Sequence, residues 1–532
     1  MIRITDLSLP FDHNDDDLKK AVLRRLKINK SELQRTKIIR RSLDARKKKS
    51  IKRVYTLHVQ VNGETSILKD FGKDNRISRA KSQTYQVPYF LKSAPKDRPV
   101  IVGTGPAGLF AGLILAEAGC KPLLLERGKK VNERARDTYK YWKTGELNPD
   151  SNVQFGEGGA GTFSDGKLQT RVKDKKNRDK KILRELVEAG APEEILYNNK
   201  PHLGTAKMVN IVRNLREKII SLNGEFRFQS RVDDFMLHDN MIKGLRLNTG
   251  EEIFCETIIL AIGHSARDTF SMLSRNGVAL EPKPFSIGFR IEHPQEIIDK
   301  NQFGDFAGHP LLGAADYQLA YHSSSGRTVY SFCMCPGGSV IAAASEDMGV
   351  VTNGMSQFAR DQKNANSAIV AEVYPTDFPE SPLGGIEYQR LWEQKAYQLG
   401  GGDFKAPGQL LGDFIKGRPS LELGQVLPSY QPGIVLSDLQ HCLPDYVVLS
   451  IKEALPEFER RIKGFTLADA VLTGVETRTS APLRILRRKD YQSISTPGLY
   501  PAGEGSGYSG GILSSAMDGI KAAEAVMQKI RS

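Results

Sequence analysis

The sequence predicts an α/β protein: a parallel-sheet domain interrupted by a mixed α+β domain, with a small basic α/β module in front. Three observations predict it. From Pro99 a short apolar strand, a glycine turn and a long apolar helix follow one another to about Gly119, and a second strand follows over 122–126. From about 465 the chain returns to a strand, a glycine cluster and a closing helix that runs from Gly511 to about Ile530. Charge is segregated: residues 1–98 hold 25 Lys+Arg against 11 Asp+Glu, which accounts for the whole formal charge of +14 and leaves the remainder neutral.

The 532 residues give room for about three domains of ~150 residues each. An apolar content of 39% suits a chain with a sizeable core. No apolar run reaches the ~18 residues of a membrane span; the longest, 109–120, contains Glu117. The first residues lack the charged and apolar regions of a signal peptide. Five cysteines (Cys120, Cys255, Cys333, Cys335, Cys442) form an odd, sparse set, which speaks against a disulfide scaffold and for a reduced, cytoplasmic protein. With so few cysteines and no clustered histidine, no metal site is expected.

The basic module spans residues 1–95. Residues 2–9 alternate as a strand. Asp15–Leu26 reads as a helix, acidic at its start and basic at its end, as the helix dipole favours. Ser31 with Gln34 reads as the capping box of a second helix. Residues 54–61 alternate as a strand. Between these lies the basic run Arg40, Arg41, Arg46 to Lys49, Lys52 and Arg53. Residues 91–98, with Pro95, read as a linker. The parallel-sheet domain then takes 96–280 and 456–532, and 281–455, with strands and glycine-rich turns but no second copy of the opening pattern, forms the middle, substrate-bearing domain.

Gly103, Gly105 and Gly108 fit GxGxxG. Two other matches exist, at 156–161 and 505–510, but only the first follows a strand, opens a helix and precedes an acidic residue, Glu126, 23 residues on. Gly103 makes the tight turn, Gly105 lets backbone approach a diphosphate, and Gly108 lets helix pack on strand. The helix N-terminus at Pro106 and Ala107 offers unpaired N–H groups and a positive dipole. Glu126, followed by Arg127, is placed to accept from ribose hydroxyls. These residues predict an adenine dinucleotide.

A second buried strand at 257–263 ends in Gly263, and a third at 499–505 ends in Gly503 and Glu504, followed by Gly510, Gly511 and Ile512. Here the chain resembles glutathione-reductase-type FAD-binding (Rossmann-like) flavoproteins. It resembles more closely a bacterial family catalogued as uncharacterised FAD-dependent dehydrogenases, over residues 99 to the end. The strings that carry this are 154–168 (QFGEGGAGTFSDGKL), 261–268 (AIGHSARD), 330–338 (YSFCMCPGG), 473–480 (TGVETRTS) and 503–511 (GEGSGYSGG). The resemblance implies FAD rather than NAD. It assigns Glu504 to the ribityl hydroxyls, where the superfamily usually has Asp, and the backbone at Gly511 and Ile512 to the pyrimidine edge of the flavin. It also implies that the 156–161 loop, with Gly161 and Thr162, wraps the flavin and that Ser164 and Lys167 face its ring. Val232 is expected as a backbone partner of adenine.

Three residues are candidates for chemistry. Lys167 would tune a flavin, or is a solvated loop lysine. His264, directly after Gly263, stands near the cofactor with Arg267, or is a loop residue. Arg478 would grip a substrate carboxylate or phosphate, or pair internally with a glutamate such as Glu476. Cys333 and Cys335 form CxC and read more readily as small buried hydrophobes.

Two functions follow. One is an FAD-dependent oxidoreductase, a dehydrogenase or reductase of an unknown small molecule. Only one fingerprint stands in context, so NAD(P)H would visit transiently. The alternative is a flavin-dependent RNA-binding or RNA-modifying protein that uses the basic module; a solvated basic face or an acidic protein partner explains the same charge.

Overall fold

The computed structural model describes residues 1–531 apart from 83, 92 and 171, so Lys92 of the expected linker lies outside the described residues. In the basic module Ile2–Pro10 and Asp15–Leu26 form as expected. Asn14 caps the helix, exchanging hydrogen bonds with Asp17. Leu18, Val22 and Leu26 on its inner face pack on Ile2, Ile4, Leu57 and Val59 of the sheet. The second helix is a correction. Asn29 and Glu32 close one 3-10 turn, Lys30–Glu32, and Leu33–Asp44 is a strand paired antiparallel with Lys52–Val61. The apolar, β-branched stretch at Thr36, Ile38 and Ile39 gains more from the sheet than one turn of capping supplies. The basic run is therefore a hairpin.

The module is docked on the body. The Arg41 N–H donates to the Tyr197 carbonyl at 2.7 Å and the Asn199 N–H to the Arg41 carbonyl at 2.9 Å. Phe11 and Ile51 belong to the core of the middle domain.

A five-stranded parallel sheet carries the site, in the order Leu499–Pro501, Ile258–Leu260, Val100–Val102, Leu123–Leu125, Glu225–Arg227. Each strand is three residues long, and four of the five are fully buried, which is why they read as continuous apolar runs. The helix Pro106–Glu117 is buried along 107–116, between this sheet and the closing helix Ile512–Arg531. The two helices approach closely at Gly519, where a Cβ would lie 2.0 Å from the Ala107 carbonyl oxygen.

The middle domain is a seven-stranded mixed sheet, in the order Ala320–His322, Thr328–Cys335, Asn364–Val373, Phe285–Pro294, Val471–Glu476, Ala406–Leu410, Ile434–Leu436. Val471–Glu476 is one of its inner strands, so the chain leaves this sheet after Glu476 and not at 456, which falls inside the helix Asp445–Arg461. Among the described residues no helix is long and apolar enough to cross a membrane.

Candidate cofactor site

The parallel strands end on one elongated cavity. Its first end is the turn after Val100–Val102. Gly103 has φ +97°, and a Cβ there would meet the Ala261 carbonyl oxygen at 2.4 Å; a Cβ at Gly108 would meet the Gly103 oxygen at 1.9 Å. Both positions therefore require glycine. The helix that follows starts at Pro106 with no side-chain cap, which leaves the Ala107 and Gly108 N–H groups without intrahelical acceptors. Gly105, Pro106, Ala107, Glu126, Arg127 and Val232 all line this end.

Glu126 does more than face the cavity. One carboxylate oxygen accepts the Thr104 N–H (2.9 Å) and hydroxyl (2.6 Å), and the other accepts the Gly128 and Gly156 N–H groups, both at 3.0 Å. All four acceptor positions are taken within the chain, and the carboxylate ties three loops together. Arg134 does the same from below. It is fully buried, and its guanidinium donates to the carbonyls of Asn152, Val153, Gly156, Glu157 and Gly159 at 2.7 to 3.3 Å. These bonds fold the 152–159 loop against the first turn, where a Cβ on Gly159 would come within 2.9 Å of the Gly105 Cα.

The same cavity is also lined by Gly161, Ser164, Lys167, Gly263, His264, Arg478, Gly503, Glu504, Gly511 and Ile512. Gly511 has φ +85° and open space where a Cβ would stand, so backbone there is bare to the cavity. Burial pushes the Glu504 carboxyl up to about 7, with Lys283 and a hydrogen bond from Gly511 opposing and Cys333 adding. Burial, then Arg478 and Arg267, depress the His264 imidazole to about 3, so the ring is neutral at physiological pH; its Nδ1 lies 2.8 Å from the Ser265 hydroxyl. Lys167 donates to the Met334 carbonyl.

Arg478 lines the cavity, but three of its five N–H donors are taken within the chain. Two reach Glu393, at 2.8 and 3.1 Å, and a third the Ser345 hydroxyl at 2.6 Å. Arg267 grips the same Glu393 at 2.7 and 2.9 Å, and Glu346 at 2.5 Å. The two guanidinium groups hold the Glu393 carboxyl far below the usual carboxylate range, against burial. Arg478 is thus in an internal ion pair with Glu393. Glu476 faces Arg290 instead, at 3.4 Å.

Three expected cofactor contacts stand apart from the cavity lining. Gly108 is packed beneath Gly103, and Thr162 is buried behind the loop, close to Gly158. Gly510 turns outward to a second, broader cleft, with Tyr508 and Leu513. Sequence reasoning missed Arg134, Phe332 and Asn353, which carry no local signal, and set Cys333 aside although it lines the cavity.

Residues 284–479 match a family described as FAD-dependent protein, C-terminal domain-like, and residues 1–60 match a domain of unknown function. An uncharacterized protein of Clostridium beijerinckii is 50% identical over 537 aligned residues, covering 99% of each chain. Among solved structures, the L-proline dehydrogenase from P. horikoshii is 11% identical over 82% of this chain and 94% of its own, with a TM-score of 0.36. The glycine oxidase from Bacillus cereus is 12% identical over 82% and 96%, with a TM-score of 0.32. Overlap at that level transfers no substrate.

Proposed function

The chain belongs to one family with the Clostridium beijerinckii protein and its cofactor is FAD; on that premise we propose that it is an FAD-dependent oxidoreductase acting on a small molecule. The observation that carries this reading is a single cavity that joins the first glycine turn to the closing Gly503–Glu504 and Gly511–Ile512 backbone. The cradle fits the group: glycine backbone is bare at both ends, and two helices start on the cavity. The free N–H group of Ala107, at the helix start, takes the diphosphate. Glu126 orders the loops around the ribose, and Glu504 meets the ribityl chain. Bound FAD supplies two-electron hydride chemistry. Gly511 and Ile512 hold the pyrimidine edge, where a helix N-terminus favours negative charge. Lys167 adds a positive charge nearby, and neutral His264 serves as a hydrogen-bonding contact for substrate rather than as a cation. Arg478 positions the wall through Glu393 and does not grip substrate. NAD(P)H visits transiently, if it is the donor. In this reading the basic module takes residues 1–95 and the middle domain runs from 281 to Glu476; the FAD domain is the remainder, and the protein works in the cytoplasm.

The test is the flavin spectrum of the purified chain, followed by anaerobic titration with NADH, NADPH and dithionite. The expected result is a yellow protein bleached by at least one of them. A folded chain that cannot be reconstituted with FAD, or a flavin that even dithionite leaves oxidised, overturns the reading.

A second reading, nucleic-acid binding, has one observation in its favour. A cleft of about 1200 Å³ opens between the module and the outer side of the 507–514 loop, lined by Arg3, Arg40, Lys180, Lys521, Tyr197 and Tyr508. Cations interleaved with aromatic rings suit a phosphate backbone and its bases.

A further inference from the structure

The middle domain contributes a residue to the cavity that the proposed function leaves unused. Strand Thr328–Cys335 pairs with Asn364–Val373 in regular register as far as Phe332, then slips before Cys335. At the slip Cys333 adopts φ +45°, a left-handed conformation rare for a residue with a side chain, and lines the same cavity as Glu504 and Gly511. In an unbroken strand Cys333 and Cys335 would share one face; here Cys335 is fully buried behind it.

Two cations converge on this point. Lys167 donates to the Met334 carbonyl, and Arg290, itself fully buried, donates to the carbonyls of Phe332 (3.2 Å) and Cys333 (3.0 Å). The Cys335 thiol donates to the Cys333 carbonyl oxygen at 3.2 Å. The carboxylates facing the same point are Asp165, Glu476 and Glu504. Asp165 is paired with Arg360 (3.0 Å), Glu476 is 3.4 Å from Arg290, and burial raises Glu476 and Glu504 to about 7. Its neighbour Cys335, then the charges of Lys167 and Arg290, lower the Cys333 thiol, against burial and Asp165. The other thiols move the opposite way: Cys335 well above its ordinary range, and Cys120 and Cys255 up to about 11 and 12 through burial.

We propose that Cys333 presents a thiolate to the flavin end of the cavity, as an electron-rich contact of the bound ring and the nucleophilic sulfur of the site. The proposal rests on the FAD reading above. Lys167 and Arg290 supply the positive field that a thiolate needs. A thiolate against an oxidised flavin donates charge to it, which adds absorption on the long-wavelength side of the flavin bands.

The experiment is alkylation by iodoacetamide, followed by peptide mass spectrometry, on the full chain with FAD bound and after its removal. Only the thiolate reacts, so an ordinary thiol slows about tenfold per unit of falling pH. Cys333 is expected to hold its rate within about twofold from pH 8 to pH 6, and bound FAD is expected to slow it by about tenfold. The FAD-bound chain is expected to show the long-wavelength band, and Cys333→Ser is expected to lose it. A Cys333 rate that falls like an ordinary thiol, or one that FAD leaves unchanged, overturns the proposal. So does a band that survives Cys333→Ser, a variant with one atom changed and little reason to misfold. Failure to bind FAD is read from the flavin spectrum alone and counts against the functional reading instead.

Discussion

At the scale of single residues, the site sets buried charge against hydrogen bonds, and each balance has a measurable consequence. Glu504 has a folded-state pKa of about 7 against an ordinary 4.5. Between these values the folded chain binds more protons than the unfolded one, so this group makes stability fall as pH rises from 4.5 to 7. Glu504→Gln is expected to be the more stable form at pH 8, by about 1–2 kcal/mol after allowing for partial exposure, with the gap closing toward pH 4.5. Denaturant unfolding of the FAD-free chain at the two pH values checks this; a constant gap contradicts it. Arg134 has the opposite character. Arg134→Met leaves five carbonyls of the 152–159 loop without their donor, and about 3–5 kcal/mol of stability should go with FAD affinity. An Arg134→Met chain with wild-type unfolding midpoint would show that water replaces the guanidinium. Glu504 was legible because a strand-ending glycine and an acid stand together in sequence. Arg134 was not: one arginine in an amphipathic helix reads as surface, and its partners are carbonyls, which leave no trace in residue type. The Glu393 that occupies Arg478 was equally hidden, because 85 residues separate them.

At the scale of elements, the most readable segments were those whose local and tertiary demands agree. The helix Asp15–Leu26 has its acids, its bases and its apolar face where dipole and core both want them. The buried strands and residues 106–116 of the helix Pro106–Glu117 are apolar, so only their order in the sheet needed the structure. The stretch from Ser31 misled because its polar opening matched a helix cap while its β-branched residues matched a strand, and pairing with Lys52–Val61 decided the contest. CxC misled in another way: read as two small buried side chains, it holds for Cys335, while Cys333, at a register slip, lines the cavity. The first turn makes the sharpest element-level prediction. Gly103→Ala must place a Cβ 2.4 Å from the Ala261 carbonyl oxygen at φ +97°. The strand end or the helix start must then move, costing at least about 2 kcal/mol. Because both flank the proposed diphosphate cradle, FAD affinity should fall further than that stability loss implies. Gly277→Ala, outside the cavity lining and with open space beside it despite φ +69°, is the control, strained but not clashing. Equal FAD affinity in the two variants would refute the cradle assignment.

At the scale of the molecule, the charge asymmetry coincides with a four-stranded sheet of its own but says nothing about its attachment. The module is joined by backbone hydrogen bonds at Arg41 and by Phe11, whose ring packs edge-on against Phe306 and His309 at 5.2 and 5.0 Å. Deleting it therefore does two things at once. It removes the basic surface, and it uncovers the apolar seat of Phe11 and Ile51, a loss of about 3–6 kcal/mol for two large buried side chains. Loss of RNA retention in a truncated chain would thus have an uninformative cause. Charge reversal separates the effects. Arg40 is exposed and Lys180 half-buried on the cleft wall, so Arg40→Glu with Lys180→Glu should leave the unfolding midpoint within about 0.5 kcal/mol per site. If the cleft binds a phosphate backbone, the slope of log affinity against log salt should lose about 0.7 per contact removed. A slope unchanged by the double reversal assigns the basic face to solvent, because counterion release depends on the phosphates neutralised and on nothing else in the fold.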